Sequence, residues 1–341
     1  LDKSKLFVSD GEELHNEVTS KGRGEELTKA MKQHFQKFHS MDEIFDKDIE
    51  IQILEEELEA LKNPKKPNFQ RLPTFSPSSA SKCERELFYK LKKEDKDEQV
   101  MHPFQRRWVR NGSAIHAAVQ KDLLYAEEHL QNPKFKVERM EDGSPAWEHN
   151  IKDVKPFNYK GVDFQVFGMM DGILEYTPDG SKIGFEFKTK STTIGAIGDF
   201  KMKDIQQGHK EQAVAYSLLF DVDEFIFVYE SLAKDSWLKQ EDAKHDMRYF
   251  YYKPTKKEKQ AFLAKCAFVA KSKHKDKLPE GRFPEKCLFC PFKTICEQDG
   301  GTNAYDSEAV EAEKIRKEEE KKRKAEERKQ KAAAKRRAKK Q

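Results

Sequence analysis

The chain has 341 residues, of which 36% are hydrophobic and 37% charged, with a mean hydropathy of −0.93 and a formal net charge of +4. That is enough chain to bury one large core or two modest ones, while so polar a composition leaves part of the length as solvated appendage. No stretch approaches the roughly 18 to 20 apolar residues of a membrane span, and the first stretch, LDKSKLFVSDGEEL, lacks a secretory apolar core, so a soluble cytoplasmic protein is expected.

Between Met41 and Leu61, apolar Met41, Ile44, Phe45, Ile49, Ile53, Leu54, Leu58 and Leu61 recur at helical spacing among nine acidic residues, which predicts an acidic amphipathic helix packed on the main domain, with a partner-binding arm as the lesser alternative. The NPKKP segment, Asn63 to Pro67, ends it, because proline removes a backbone donor and biases its predecessor to extended backbone. Ser76 or Ser78 then caps a helix predicted over 80–91, with Cys83 in its first turns. A further helix is expected from about Gly112 to Leu130, with Ile115, Val119, Leu123 and Leu124 on one face and His116 beside it.

From Val162 to Thr189 the pattern becomes β: VDFQVFGMMDGILEY, a TPDGS turn at Asp179-Gly180, then KIGFEFKT. A helix at about 210–219, the strands EFIFVYES and MRYFYYK, and a helix at about 255–271 follow. This order predicts an α/β fold with a mixed central sheet flanked by helices. The last segment is different: residues 306–341 carry 15 Lys+Arg against 9 Asp+Glu, leaving 50 against 52 for the rest of the chain. It favours helix by composition but lacks an apolar heptad seam, so a solvated, mobile tail is expected, with a salt-dependent attraction to nucleic acid as one reading. The domain organisation expected is a helical N-terminal arm over 1–67, a main domain over 68–300 and a charged tail over 301–341.

On the strand GFEFKT, alternation puts Glu186 and Lys188 on one face and Phe185 and Phe187 on the other. Asp171, across the hairpin, can approach them, and two carboxylates suit a hard cation such as Mg²⁺ that polarises a phosphate and acidifies a water. Polar residues alternating with phenylalanines also describe any half-solvated strand. Two additional features weigh against that reading: His116 follows Gly112 by four residues on a predicted helix, and Gln212 and Tyr216 share a helical face at i, i+4.

The ordered set G-x-x-x-H, G-x-x-D, E-x-K, Q-x-x-x-Y resembles the RecB-type branch of the PD-(D/E)XK nuclease superfamily, over roughly 76–297. The resemblance implies a restriction-endonuclease-like core in which His116, Asp171, Glu186 and the Phe187 carbonyl bind Mg²⁺ or Mn²⁺ and Lys188 assists the attacking water. It implies that Gln212 and Tyr216 support the site or touch DNA. Met170, where many relatives have proline, is a departure at a position that is not a ligand. Arg106, Arg107 and Arg110, in RRWVRNG, could contact a DNA backbone by charge, or belong to core and rim.

Three of the five cysteines lie in CLFCPFKTIC as Cys287, Cys290 and Cys296. A subset of these nucleases resembles this chain in pairing such a trio with one cysteine on an early helix, here Cys83, 204 residues before Cys287. The resemblance implies a 4Fe-4S cluster on Cys83, Cys287, Cys290 and Cys296, as in AddB-type and CRISPR-adaptation nucleases, with structural Zn²⁺ as the alternative. Cys266 reads as a core thiol. The function implied is a metal-dependent DNA exonuclease acting on single strands or DNA ends in replication, recombination or repair. The alternatives are a structure-specific endonuclease and a non-catalytic DNA-binding scaffold. No G-x-x-x-x-G-K-[ST] loop is present, so translocation would need a separate helicase. A bacterial or phage source fits this resemblance.

Overall fold

The computed structural model describes residues 4–300, apart from 43, 65, 148–149, 191–192, 281–286 and 288–289, and beyond them only 319, 323 and 326. The expected basic tail therefore lies almost wholly outside the described residues. The described residues fall into two compact units, one within 1–81 and 100–275 and the other within 82–99 and 276–341. Among the described residues no helix is long and apolar enough to cross a membrane.

The first unit opens with helix α1, Ser4–His39, and helix α2, Lys47–Lys62. The second helix starts later than its apolar pattern predicts because the Asp46 carboxylate caps it, accepting from the N–H groups of Asp48 and Ile49 at 3.0 and 3.2 Å. After the short strand β1, Thr74–Phe75, Ser76 caps a single 3-10 turn over Pro77–Ser79. The helix expected over 80–91 therefore begins only at Glu84, as α3, Glu84–Lys92, which belongs to the second unit. Helix α4, Pro103–His129, is longer than expected: Pro103 starts it after His102, and its first half leaves Phe104, Trp108 and Val109 exposed, so no buried stripe announced it. Tyr125 on α4 donates to Glu50 at 2.7 Å, joining α2 to α4.

The strands are β2, Phe135–Val137; β3, Asp153–Tyr159; β4, Val162–Gly168; β5, Gly172–Tyr176; β6, Ser181–Lys190; β7, Glu224–Ser231; and β8, Met247–Tyr252. Helix α5, Gln207–Leu219, crosses between β6 and β7, and α6, Lys256–His274, follows β8. The five-stranded sheet runs β2-β5-β6-β7-β8, with β6 and β7 parallel and its other neighbours antiparallel; β1-β4-β3 forms a smaller sheet. This mixed sheet with helices on both faces is a restriction-endonuclease-like α/β arrangement. The run VDFQVFGMMDGILEY is thus two strands in different sheets. A Cβ at Gly168 would come within 2.8 Å of the Pro77 ring, a close packing that only glycine permits at the end of β4.

Alternation along β6 and β7 builds two cores. Ile183, Phe185, Phe187, Ile226 and Val228 join Leu27, Met31 and Phe35 of α1 and Val119 and Leu123 of α4. On the opposite face Phe225, Phe227 and Tyr229 join Ala213 and Tyr216 of α5. Full burial of each large apolar side chain stabilises by roughly 1.5–3 kcal/mol, so both faces of β6 and β7 are fastened and Glu186 and Lys188 are carried into the α5 side.

Gly184 lies under the Phe225 ring, where an added Cβ would stand 2.4 Å from Cδ1. Gly184→Val is expected to lower the urea midpoint by the equivalent of about 1–3 kcal/mol; an unchanged midpoint would show that Phe225 can move away. His34, 3% exposed, has no hydrogen-bond partner for either ring nitrogen among the described residues, and burial, then Lys37, depresses its pKa from 6.5 to about 4. The unfolded chain therefore takes the proton first, and stability present above pH 6.5 is lost as pH falls toward 4, by about 3 kcal/mol in full. Denaturant titrations between pH 7 and 4 should show His34→Leu flattening this loss; identical pH slopes for variant and wild type would contradict it.

Candidate active site

Asp171 occupies the link between β4 and β5, immediately before Gly172. The β5 ladder on β6 begins at Gly172 opposite Phe185, so two residues further along β6 the Phe187 N–H has no β5 carbonyl to meet. The Asp171 carboxylate takes that place, with Oδ2 accepting from Phe187 N–H at 2.8 Å. In a strand a residue's N–H and C=O point to the same edge, so the Phe187 carbonyl faces the Asp171 side as well. Gln120 of α4 donates to the Asp171 carbonyl at 2.9 Å and fixes the link from the helix side.

Glu186 is 0% exposed, and the Lys188 ammonium donates to its Oε2 while standing 3.6 Å from Asp171 Oδ2. Burial alone would pull the Lys188 pKa down, but Glu186 and then Asp171 outweigh it and hold the ammonium above its ordinary range. His116 Nδ1 lies 3.7 Å from Asp171 Oδ2, and its ring meets Phe187 edge-on at 5.2 Å. Gly112 sits one turn earlier, where an added Cβ would be 3.6 Å from the Thr189 hydroxyl at the end of β6. The structure thus gathers His116, Asp171, Glu186, Phe187 and Lys188 at one end of the sheet.

Gln212 and Tyr216 lie on α5, with the Gln212 amide donating to the Tyr216 hydroxyl at 2.8 Å and Tyr216 buried beside Phe227 and Tyr229. Arg106, Arg107 and Arg110 stand exposed on the first half of α4, and Arg110 donates to Asn111. Sequence reasoning missed His209 and Tyr229. Tyr229 pairs with Lys188 across the β6–β7 ladder, and its hydroxyl is 2.7 Å from His209 Nδ1. Burial, then Lys188 and Lys190, pulls His209 down to about 4, and burial pushes Tyr229 up to about 12. This neutral pair walls the cationic side of the cluster. A histidine and a tyrosine 20 residues apart carry no spacing signal that would have linked them.

The metal expectations need correction. Among the described residues no group of three or more His, Cys, Asp or Glu is placed to hold a metal ion, whether a four-iron cluster, Zn²⁺, Mg²⁺ or Mn²⁺. At the sheet end the carboxylates are engaged by the Lys188 ammonium and the Phe187 N–H instead. Cys83, Cys287, Cys290 and Cys296 do all fall in the second unit, near enough for several to feel one another's charge. Cys83 caps α3, its sulfur accepting from Glu86 N–H at 3.3 Å, and Cys296, on helix α7, Lys293–Gln298, accepts from Arg85 at 3.5 Å. Burial raises the pKa of Cys83 and Cys287 and pushes Cys290 up to about 11. The resemblance to the iron–sulfur branch is therefore withdrawn. Within this unit Arg85 donates also to the Pro279 carbonyl at 3.0 Å, and Tyr89 donates to Asp299 at 2.8 Å and packs on Phe292.

No family model and no curated protein matches the chain. Among solved structures it is similar to the crystal structure of SSO0001, with 17% identity, 72% of this chain and 94% of that one covered, and a TM-score of 0.40. It is also similar to an alkaline exonuclease, LHK-Exo, from Laribacter hongkongensis, with 15% identity, 60% of this chain and 94% of that one covered, and a TM-score of 0.32. For LHK-Exo in complex with dAMP the identity and coverage are the same and the TM-score is 0.33.

Removing one partner of a buried ion pair strands the other. Glu186→Leu and Lys188→Met should each cost about 3 kcal/mol or more in urea unfolding. The double variant should cost less than their sum by about 1–3 kcal/mol. Strictly additive losses would show that the two side chains do not stabilise each other.

Proposed function

We propose that the chain is a nuclease that hydrolyses phosphodiester bonds of DNA, with an exonuclease action on single strands or strand ends, and with residues 68–300 as its catalytic part. The observation that carries this reading is the Lys188 ammonium held between the Glu186 and Asp171 carboxylates at the end of β6. A fixed ammonium in a half-buried site stabilises negative charge developing on a phosphate oxygen. A carboxylate beside it orients a water and accepts its proton as the water attacks phosphorus, while the bond to the leaving oxygen breaks. Glu186 and Asp171 are the candidates for that acceptor, and His116, 3.7 Å from Asp171, steadies the second of them.

Gln212 and Tyr216 would buttress this site from α5. Arg106, Arg107 and Arg110 would meet phosphates from the exposed half of α4, giving position without sequence preference. The gathering of His116 with Asp171, Glu186 and Lys188 at one end of the sheet favours hydrolysis over a DNA-binding scaffold.

The test is cleavage of end-labelled linear single- and double-stranded DNA beside covalently closed single-stranded circles, with a divalent cation or a chelator present. Wild type should degrade the linear forms and spare the circles, and Glu186→Gln and Asp171→Asn should lose at least 100-fold in rate. The arms with cation and with chelator read directly whether the reaction draws on a metal. Arg106→Ala/Arg107→Ala/Arg110→Ala should raise KM with kcat largely kept. Opening of circles would make it an endonuclease. Absence of cleavage with DNA binding intact would replace the enzyme by a scaffold.

A further inference from the structure

A cavity of about 820 Å³ opens between α1, the segment after β6 and the start of β8. Its size falls in the ~300–1,000 Å³ range of ligand pockets. Lys29 and Lys32, one turn apart on the exposed side of α1, line one wall, and Lys244 and Arg248 line the other. Arg248 is already paired with Asp199 and donates to the Met202 carbonyl at 3.2 Å. Lys29, Lys32 and Lys244 have no ion-pair partner among the described residues. Glu25 is the remaining acid of the lining, so the unpaired charge of the cleft is positive.

Phe200 also lines the cleft and is 95% exposed. A phenylalanine ring held in water beside unpaired lysines gains nothing from the fold. It is what a base needs for stacking. The cleft does not close at its far end: a second cavity of about 230 Å³ shares Lys32, His245, Met247 and Tyr249 and runs on along α1 to His39. An open track suits a polymer better than a single nucleotide, and an exposed ring can stack only on a base that is splayed out, as in a single strand. Its near end is tied to the candidate active site. Ile194 and Gly195 line it, and Ile194 is six residues beyond Lys188, a span of at most about 22 Å of extended chain.

We infer that this cleft is a binding track for single-stranded polynucleotide, with Lys29, Lys32 and Lys244 on phosphates and Phe200 under a base, leading a strand to the Lys188 site. The inference rests on the nuclease reading for the direction of the strand, but not for binding itself. It adds a substrate surface separate from the arginines of α4.

The test is fluorescence anisotropy of a labelled single-stranded oligodeoxythymidine with the full chain, over a range of salt concentrations, beside cleavage assays of the same proteins. Lys29→Ala/Lys32→Ala/Lys244→Ala should weaken binding at least 10-fold and lower the slope of log affinity against log salt by about 2, at roughly 0.7 per phosphate contact on a single strand. Phe200→Ala should weaken binding about 5-fold or more with the salt slope unchanged. Duplex of equal length should be affected less by either change. Circular dichroism and thermal unfolding check that these surface variants fold as wild type does. Unchanged single-strand affinity in both variants, or no binding by wild type, would overturn the inference even if DNA is cleaved. Loss of binding in the variants with no cleavage by wild type would keep the track and overturn the nuclease.

Discussion

A lysine ammonium cannot sit in a half-buried site without compensation, and the way Lys188 is compensated organises the surrounding structure. One carboxylate, Glu186, comes from the same face of the same strand. The other, Asp171, reaches it only because β5 starts at Gly172 and leaves the Phe187 N–H to be met by a side chain. That start depends in turn on the break after β4, where Gly168 lies against Pro77. Phe185 and Phe187, buried on the opposite face, stop β6 from slipping by one residue, a shift that would exchange the charged and aromatic faces. The chemistry-bearing groups and the hydrophobic core are thus two readings of one strand register.

The same arrangement explains the electrostatics around it. Burial, then Lys188 and Lys190, depresses His209, whose neutral ring shares a hydrogen bond with Tyr229, and the Lys190 ammonium lies over the Tyr229 ring at 5.7 Å. The open cleft beyond Lys190 adds Lys29, Lys32 and Lys244, which have no ion-pair partner among the described residues.

Much of this was legible in the sequence. The turn at Asp179-Gly180 appears with Gly180 at φ 72°, and the alternation in GFEFKT correctly divides Glu186 and Lys188 from Phe185 and Phe187. Helices α5 and α6 lie where their periodicity put them. Helix α1 was expected only as part of a helical arm and not delimited, because Leu27, Met31 and Phe35 are a short apolar stripe within 36 residues, and β3 was missed because its residues are mostly half-exposed and so lack a buried face. Spacing also says which residues can meet, but not what they do on meeting. The cysteines of the second unit share a neighbourhood, yet Arg85 and the Glu86 N–H engage two of the sulfurs and among the described residues no three ligating groups converge. Likewise, the carboxylates near His116 close on a lysine.

The central claim is that the positive charge of Lys188, and not merely its bulk, acts on a phosphodiester. Single-turnover cleavage of a labelled single strand by wild type, Lys188→Arg and Lys188→Met measures this directly, with protein in excess so that binding does not limit the rate. The account predicts that Lys188→Met loses at least 100-fold in the rate constant while still binding DNA, and that Lys188→Arg retains a part of it. A Lys188→Met protein that cleaves at the wild-type rate would contradict it.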